Sequence, residues 1–359
     1  MVALLLLLVL PPTALTLASP ASSRSARRPN EPPVPLVADA PTAPPYYGPP
    51  RGDACSGLWP LPRNASCSFS DGLADHLDLS GSSFAFVAGS DAAKGSSLLH
   101  RAFDRYHGHI FKPLRPHAQI KATTPAPADG AAAAASASPR QGLSQLIVLI
   151  DSPNETLALS VDESYTLEVT TTVGVGAEAH LTAATVWGAL RGLESFSQLT
   201  QRTVGVADSV IINATYVRIA DRPRFPWRGI MIDTSRHWLP VSTIHSMIDA
   251  LSFNRMSVLH WHITDAQSFP LKTKTFPKLV EGAYGGSGSA LHYDAADVKA
   301  IVAYAKDRGV RVVPEIDSPS HSDSWTIGAG GGENVCLFRY SKTPPNMYQD
   351  RLGTSKGSV

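Results

Sequence analysis

Charge of one sign is what this sequence most lacks: 31 Lys and Arg stand against 30 Asp and Glu in 359 residues, a formal net charge of +1. With no basic field to gather phosphate backbones or anionic lipid, no nucleic-acid partner is expected. Cysteine is scarce as well. Only Cys55, Cys67 and Cys336 occur, and no CxxC pair is among them, which removes the common thiolate zinc sites. No G-x-G-x-x-G follows a predicted strand, so a dinucleotide-binding fold loses support. The opening apolar run, "MVALLLLLVL", is too short to span a bilayer, and Pro11 and Pro12 break it.

That run, followed by small residues near Ala18 and Ser19, reads as a secretory signal over 1–19, so no membrane span is expected in the mature chain. Three further features agree with export. Asn64, Asn154 and Asn213 each begin an N-x-S/T acceptor for N-glycans. Cys55 and Cys67 are close enough to staple a small loop in an oxidising compartment, which leaves Cys336 as an odd thiol. The expected location is the secretory pathway, ending at the cell exterior or wall, or in a vacuole or lysosome.

At 43% hydrophobic and 17% charged, the chain has globular composition and length enough for two domains. Residues 20–54 are a Pro-rich linker. A mixed α+β region is expected over 55–221, with helices in "SSLLHRAFDRYHGHIF" and "TAATVWGALRGLESFSQL" and strands in "QLIVLI" and "YTLEVT". The stretch "TTPAPADGAAAAASASPR" within it is low-complexity. From 222 the pattern becomes strand-helix alternation. "RGIMIDT", "MSVLHWHI" and "VRVVPEI" are near-continuous apolar strands. Between them, Pro240 fits the first turn of a helix carrying Ile244, Met247, Ile248 and Leu251 inward. Asp294 caps a second helix that turns Val298, Ile301, Val302 and Ala305 inward and ends at Gly309. Such alternation specifies a parallel sheet with right-handed crossovers.

Reactive groups of parallel α/β folds gather at the C-terminal strand ends. Three such ends carry polar residues here: Asp233 with Arg236 and His237, then His260, His262 and Asp265, then Glu315, Asp317 and His321. Arg228 stands at the start of its strand, toward the opposite end. Spacing alone leaves a metal hydrolase open, because His260 and His262, at i and i+2 on a strand, share a face and could chelate zinc.

"FPWRGIMIDTSRHWLP", "SFNRMSVLHWHITDAQSFPL" and "VVPEIDSPSHSDSW" resemble the β-N-acetylhexosaminidases, plant members most of all, and "VDESYTL" and "AATVWGALRGLESFSQL" resemble their small N-terminal domain. The resemblance implies an α/β fold class: an α+β domain over 55–221, then the first part of a (β/α)8 TIM barrel over 222–327. It implies removal of terminal N-acetylglucosamine or N-acetylgalactosamine from glycans, without cofactor or metal, by a substrate-assisted route in which the acetamido oxygen attacks the anomeric carbon. Carried over by position, Arg228 matches the arginine that binds sugar hydroxyls, and Asp265, Asp317 and His321 match residues that support the catalytic pair. Ser320 replaces a family glycine. The Asp-Glu pair itself, found in the family within an H-x-G-G-D-E-like stretch, has no counterpart, and 328–359 follows no family pattern. The expectation is therefore an incomplete barrel in a truncated chain, inactive alone. The alternative is a non-catalytic glycan-binding or regulatory fragment that associates with intact homologues, and a homo-oligomer is possible.

Overall fold

The computed structural model describes residues 54–68, 76–112, 141–172, 175–202, 209–286, 288 and 291–328. The signal segment, nearly all of the linker, the low-complexity stretch, Cys336 and the tail beyond Gly328 lie outside the described residues.

The first unit comprises β1 (Asn64–Ser68), β2 (Leu77–Ser80), β3 (Ala85–Ala88), α1 (Asp91–Gly95), α2 (Ser97–Phe111), β4 (Gln141–Gly142), β5 (Gln145–Ile150), β6 (Tyr165–Thr172), β7 (Gly176–Ala183), α3 (Val186–Leu199), β8 (Thr200–Arg202), β9 (Ser209–Ile212) and β10 (Tyr216–Asp221). A mixed six-stranded sheet runs in the order β1-β10-β6-β7-β5-β3, beside a four-stranded sheet β4-β2-β9-β8. Along β6, Tyr165, Leu167 and Val169 are buried while Thr166, Glu168 and Thr170 face outward, the alternation of a sheet covered on one face. α3 is the cover. Thr185 accepts the amides of Trp187 and Gly188 at its start, and the helix buries Val186, Leu190, Leu193 and Phe196 against the sheet. Gly188 and Gly192 allow that approach: a Cβ on Gly188 would stand 2.2 Å from the Ser164 carbonyl oxygen. The amphipathic stripe of α2, from Leu98 to Tyr106, packs beside α3. The expected disulfide joins Cys55 to Cys67 and ties the entry segment to β1.

The second unit holds β11 (Gly229–Asp233), α4 (Val241–Phe253), β12 (Val258–Thr264), α5 (Ala295–Lys306), β13 (Arg311–Ile316) and α6 (Asp323–Gly328). β11, β12 and β13 form a parallel three-stranded sheet in sequence order, with α4 and α5 as crossovers. One face carries Ile232, Leu259, Trp261 and Ile263 into a core with Ile244, Ile248, Ile301 and Tyr293. Asp294 caps α5 as expected, accepting the amides of Ala296 and Asp297 in a capping box, and Gly309 takes a left-handed φ of 66° beyond its end. Two details differ from the sequence reading. Pro240 precedes α4 as its cap residue, and Val302 is 45% exposed because Val298, Ile301 and Ala305 alone complete the inward stripe.

The units are joined by buried charge. Glu163 accepts from Arg191 Nε and Arg228 Nη2, each at 2.7 Å, with the Arg191 and Glu163 side chains 3% and 6% exposed. Arg191 Nη2 also donates to the carbonyls of Met256 and Gly309. Arg255 bridges back to Asp221 and Ser195. Among the described residues no helix is long and apolar enough to cross a membrane.

Candidate active site

In the register of the parallel sheet, Asp233, His262 and Glu315 stand side by side, with Met231, His260 and Val313 in the row beneath. Period-two alternation turns both rows to the face opposite the apolar core. The three strand ends thus meet on one side of the sheet.

The turn after β11 is wound by Asp233, whose Oδ1 accepts the amides of Ser235 and Arg236. That turn returns the Arg236 side chain over the strand ends. Its Nη1 donates to Asp233 Oδ2 at 2.7 Å and its Nη2 to Asp265 Oδ2, while the side chain stays 50% exposed. Asp265 is 1% exposed and held from several sides: its Oδ1 accepts the Ala266 amide, and its carbonyl accepts the Ser324 hydroxyl from α6. On the far side, His321 Nδ1 lies 2.9 Å from Asp317 Oδ2 and 3.8 Å from Asp265 Oδ2. His321 has φ 57°, so the left-handed residue of this turn is His321 and not Ser320.

His262 lies at the centre. Its Nε2 is 3.1 Å from Asp265 Oδ2 and its Nδ1 3.1 Å from Glu315 Oε2. An ionised carboxylate only accepts, so the ring satisfies both neighbours as an imidazolium. Burial opposes that charge, yet the bonds to Glu315 and Asp265 and the nearby charges of Glu315 and Asp233 outweigh it, raising the His262 pKa. Glu315 responds in the other direction: burial pushes its pKa up, but His262 and His260 more than offset this and hold it below the ordinary value.

The zinc pair that spacing alone leaves open takes a different form. His260 and His262 do share a face, and one nitrogen of each ring converges on Glu315 Oε2. His262, Asp265 and Asp317 each bring a possible ligand atom within 4.8 Å of the others. A cation there would have to displace Arg236 from Asp265 and take the place of the proton on one His262 nitrogen, and as it stands the donor set is satisfied as an ion-pair network.

Asp265, Asp317 and His321 therefore come together as the sequence pattern suggests. Arg228 does not join them. Its guanidinium lies at the opposite end of β11, donating to Glu163, to the Arg255 carbonyl at 2.9 Å and to the Phe225 carbonyl at 2.7 Å. The arginine that reaches the strand ends is Arg236, eight positions along the same motif. His237 is exposed and has no hydrogen bond to the cluster. Asn64 and Asn154 are exposed and Asn213 is half-buried.

Residues 225–350 match the glycosyl hydrolase family 20 catalytic domain, and residues 58–199 match a family described as beta-acetyl hexosaminidase like. The chain is 41% identical over 296 residues to beta-hexosaminidase subunit beta of Felis catus, an alignment covering 78% of this chain and 48% of that protein. It is 40% identical over 282 residues to beta-hexosaminidase 1 of Arabidopsis thaliana, again with 78% and 48% covered. Among solved structures, the chitobiase of Flavobacterium johnsoniae superposes with a TM-score of 0.59 at 27% identity, covering 83% of this chain and 40% of that one. An exo beta-N-acetylglucosaminidase from Vibrio harveyi, solved with N-acetylglucosamine, shares the fold with a TM-score of 0.55 at 20% identity, covering 84% and 42%. The chain spans about half the length of the curated relatives it matches.

Proposed function

Since the chain belongs to the β-hexosaminidases of glycosyl hydrolase family 20, we propose that its strand-end cluster recognises a terminal N-acetylhexosamine for glycoside hydrolysis. On this reading the three parallel strands are the first of a (β/α)8 barrel, preceded by an α+β domain, and the cluster occupies the catalytic end. The observation that carries the reading is Arg236. Its guanidinium is fixed by Asp233 and Asp265 but half-exposed, so the remaining N–H donors face the space where a sugar would sit.

The cluster's division of labour follows from its charges. Arg236 binds sugar hydroxyls. Asp265, paired with Arg236 and His262, fixes that arginine from behind. His321, with Nδ1 committed to Asp317, offers Nε2 to orient an acid group placed against it. In a substrate-assisted reaction the substrate's acetamido oxygen is the nucleophile, so the protein must supply an acid and an orienter of the acetamide. Among the described strand-end residues no carboxyl suits the acid role: Asp233, Asp265, Glu315 and Asp317 all face cationic or imidazole partners. The sole adjacent Asp-Glu in the sequence, Asp162-Glu163, is remote, with Glu163 gripped by Arg191 and Arg228.

The disulfide is consistent with folding in the secretory pathway, and we assign the protein a route through it to the cell exterior, wall, vacuole or lysosome. Calorimetric titration with N-acetylglucosamine tests the proposal. Saturable binding that weakens about tenfold or more in Arg236→Met is expected, since a charge-assisted hydrogen bond is worth roughly 1.5–3 kcal/mol. Binding that Arg236→Met leaves unchanged would refute it.

A further inference from the structure

We propose that Asn64 carries an N-linked glycan whose innermost N-acetylglucosamine residues lie in an open groove of mixed polar and apolar lining across the end of the six-stranded sheet. This site is separate from the strand-end cluster and depends only on passage through the secretory pathway, not on the active-site reading.

The groove has a volume of about 460 Å³, within the range of small-ligand sites. It opens where β1 and β6 begin and β10 and β7 finish. Strand register sets its floor: Asn64 pairs with Ala220, Ala220 with Thr166, and Thr166 with Thr182, so these four side chains form one cross-strand row on the outer face. At about 4.8 Å per strand the row runs roughly 14 Å from Asn64. Ala220 keeps the floor low beside the acceptor, and the two threonine hydroxyls lie farther along it. Arg63 and Arg222 stand at the rim, and neither guanidinium has a partner among the described residues. Hydroxyls and guanidinium donors suit the ring oxygens and acetamido carbonyl of N-acetylglucosamine. An N-glycan begins with that sugar, so the acceptor asparagine lies at one end of a trough lined for what would be attached to it.

The placement also leaves the acceptor accessible. Among the described residues β1 is the edge strand of its sheet, so the acceptor at its first residue stands where the glycosylation machinery can reach it. The other acceptors lack this setting. Asn154 sits on an exposed turn, its Oδ1 accepting the Thr156 amide at 2.8 Å. The Thr215 side of the third acceptor is buried.

The test uses the full chain secreted from human cells behind a supplied leader, with glycopeptide mapping and a peptide N-glycosidase applied before and after denaturation. A glycan at Asn64, released at least tenfold more slowly from the native than from the denatured protein, is expected, while any glycan on the Asn154 turn should release nearly equally in both. Arg222→Ala should raise native release at Asn64 while leaving site occupancy unchanged. An unmodified Asn64 would overturn the proposal, and so would native release as fast as that after denaturation. Loss of the glycan at Asn64 with Asn154 still modified would count against the groove and not against export.

Discussion

Replacing Arg228 with methionine separates two roles that the sequence motif assigns to one arginine. The substitution keeps most of the apolar stem packed and removes three donors: Nη2 to Glu163 at 2.7 Å, Nε to the Arg255 carbonyl and Nη1 to the Phe225 carbonyl. Glu163 keeps Arg191, so it is not orphaned, but a carboxylate 6% exposed loses one of its two cations. Loss of such a charge-assisted bond costs about 1.5–3 kcal/mol. The Phe225 carbonyl lies near the surface and regains water, adding little. The net expectation is about 2–3 kcal/mol of stability, lost where the two units meet. Urea unfolding followed by tryptophan fluorescence reads this as a lower midpoint at unchanged slope. N-acetylglucosamine binding should be unaffected under conditions where the variant is folded. A variant as stable as the parent but unable to bind sugar would refute the placement of Arg228 and return it to the recognition role.

Gly188→Ala reverses the ordinary helix preference. Alanine normally gains about 1 kcal/mol over glycine inside a helix, but here its Cβ would stand 2.2 Å from a backbone carbonyl, so a net loss of roughly 1–3 kcal/mol is expected by the same urea assay; stabilisation would contradict the packing of α3. The His262–Glu315 pair has a defined pH signature. His262, with its pKa raised on folding, contributes fully below its unfolded value near ~6.5 and loses that contribution as pH rises through the folded one. Glu315, with its pKa lowered, contributes fully above its unfolded value near ~4.3 and loses it as pH falls through the folded one. The stability difference between the parent and Glu315→Gln should therefore peak between about pH 4.3 and 6.5, and a difference that stays flat from acid to alkaline pH would contradict the pairing. Reducing the Cys55–Cys67 disulfide should lower thermal stability by loosening the entry segment beside β1, a loss measurable by calorimetry with and without reductant.

Much of the architecture is legible because local signals agree with it. The stripe from Leu98 to Tyr106, the Asp294 cap, the Gly309 stop and the three apolar strands each follow from periodicity or turn chemistry. The convergence of Asp265, Asp317 and His321 follows from parallel topology, since all three leave strand ends on the same side. The two arginines of "FPWRGIMIDTSRHWLP" show where similarity of sequence falls short of geometry. One lies before β11 and the other after it, and strand direction, not resemblance, sends Arg236 to the site and Arg228 to the interface. The zinc reading misses for a related reason. An i, i+2 pair reports that two imidazoles share a face, but not that Glu315 from the neighbouring strand stands between them. Nor could local pattern disclose the Glu163–Arg191–Arg228 triad, whose members come from three distant segments, or the groove beside Asn64, which exists only once strand register is set.

The most direct test follows the imidazole resonances of His262 and His321 by nitrogen-15 NMR while N-acetylglucosamine is added to the full chain, to Arg236→Met and to Arg228→Met. The account predicts saturable shifts at both rings in the parent and in Arg228→Met, and their loss in Arg236→Met with the fold intact. Shifts that persist without Arg236, or that vanish without Arg228 in a protein still folded, would contradict it.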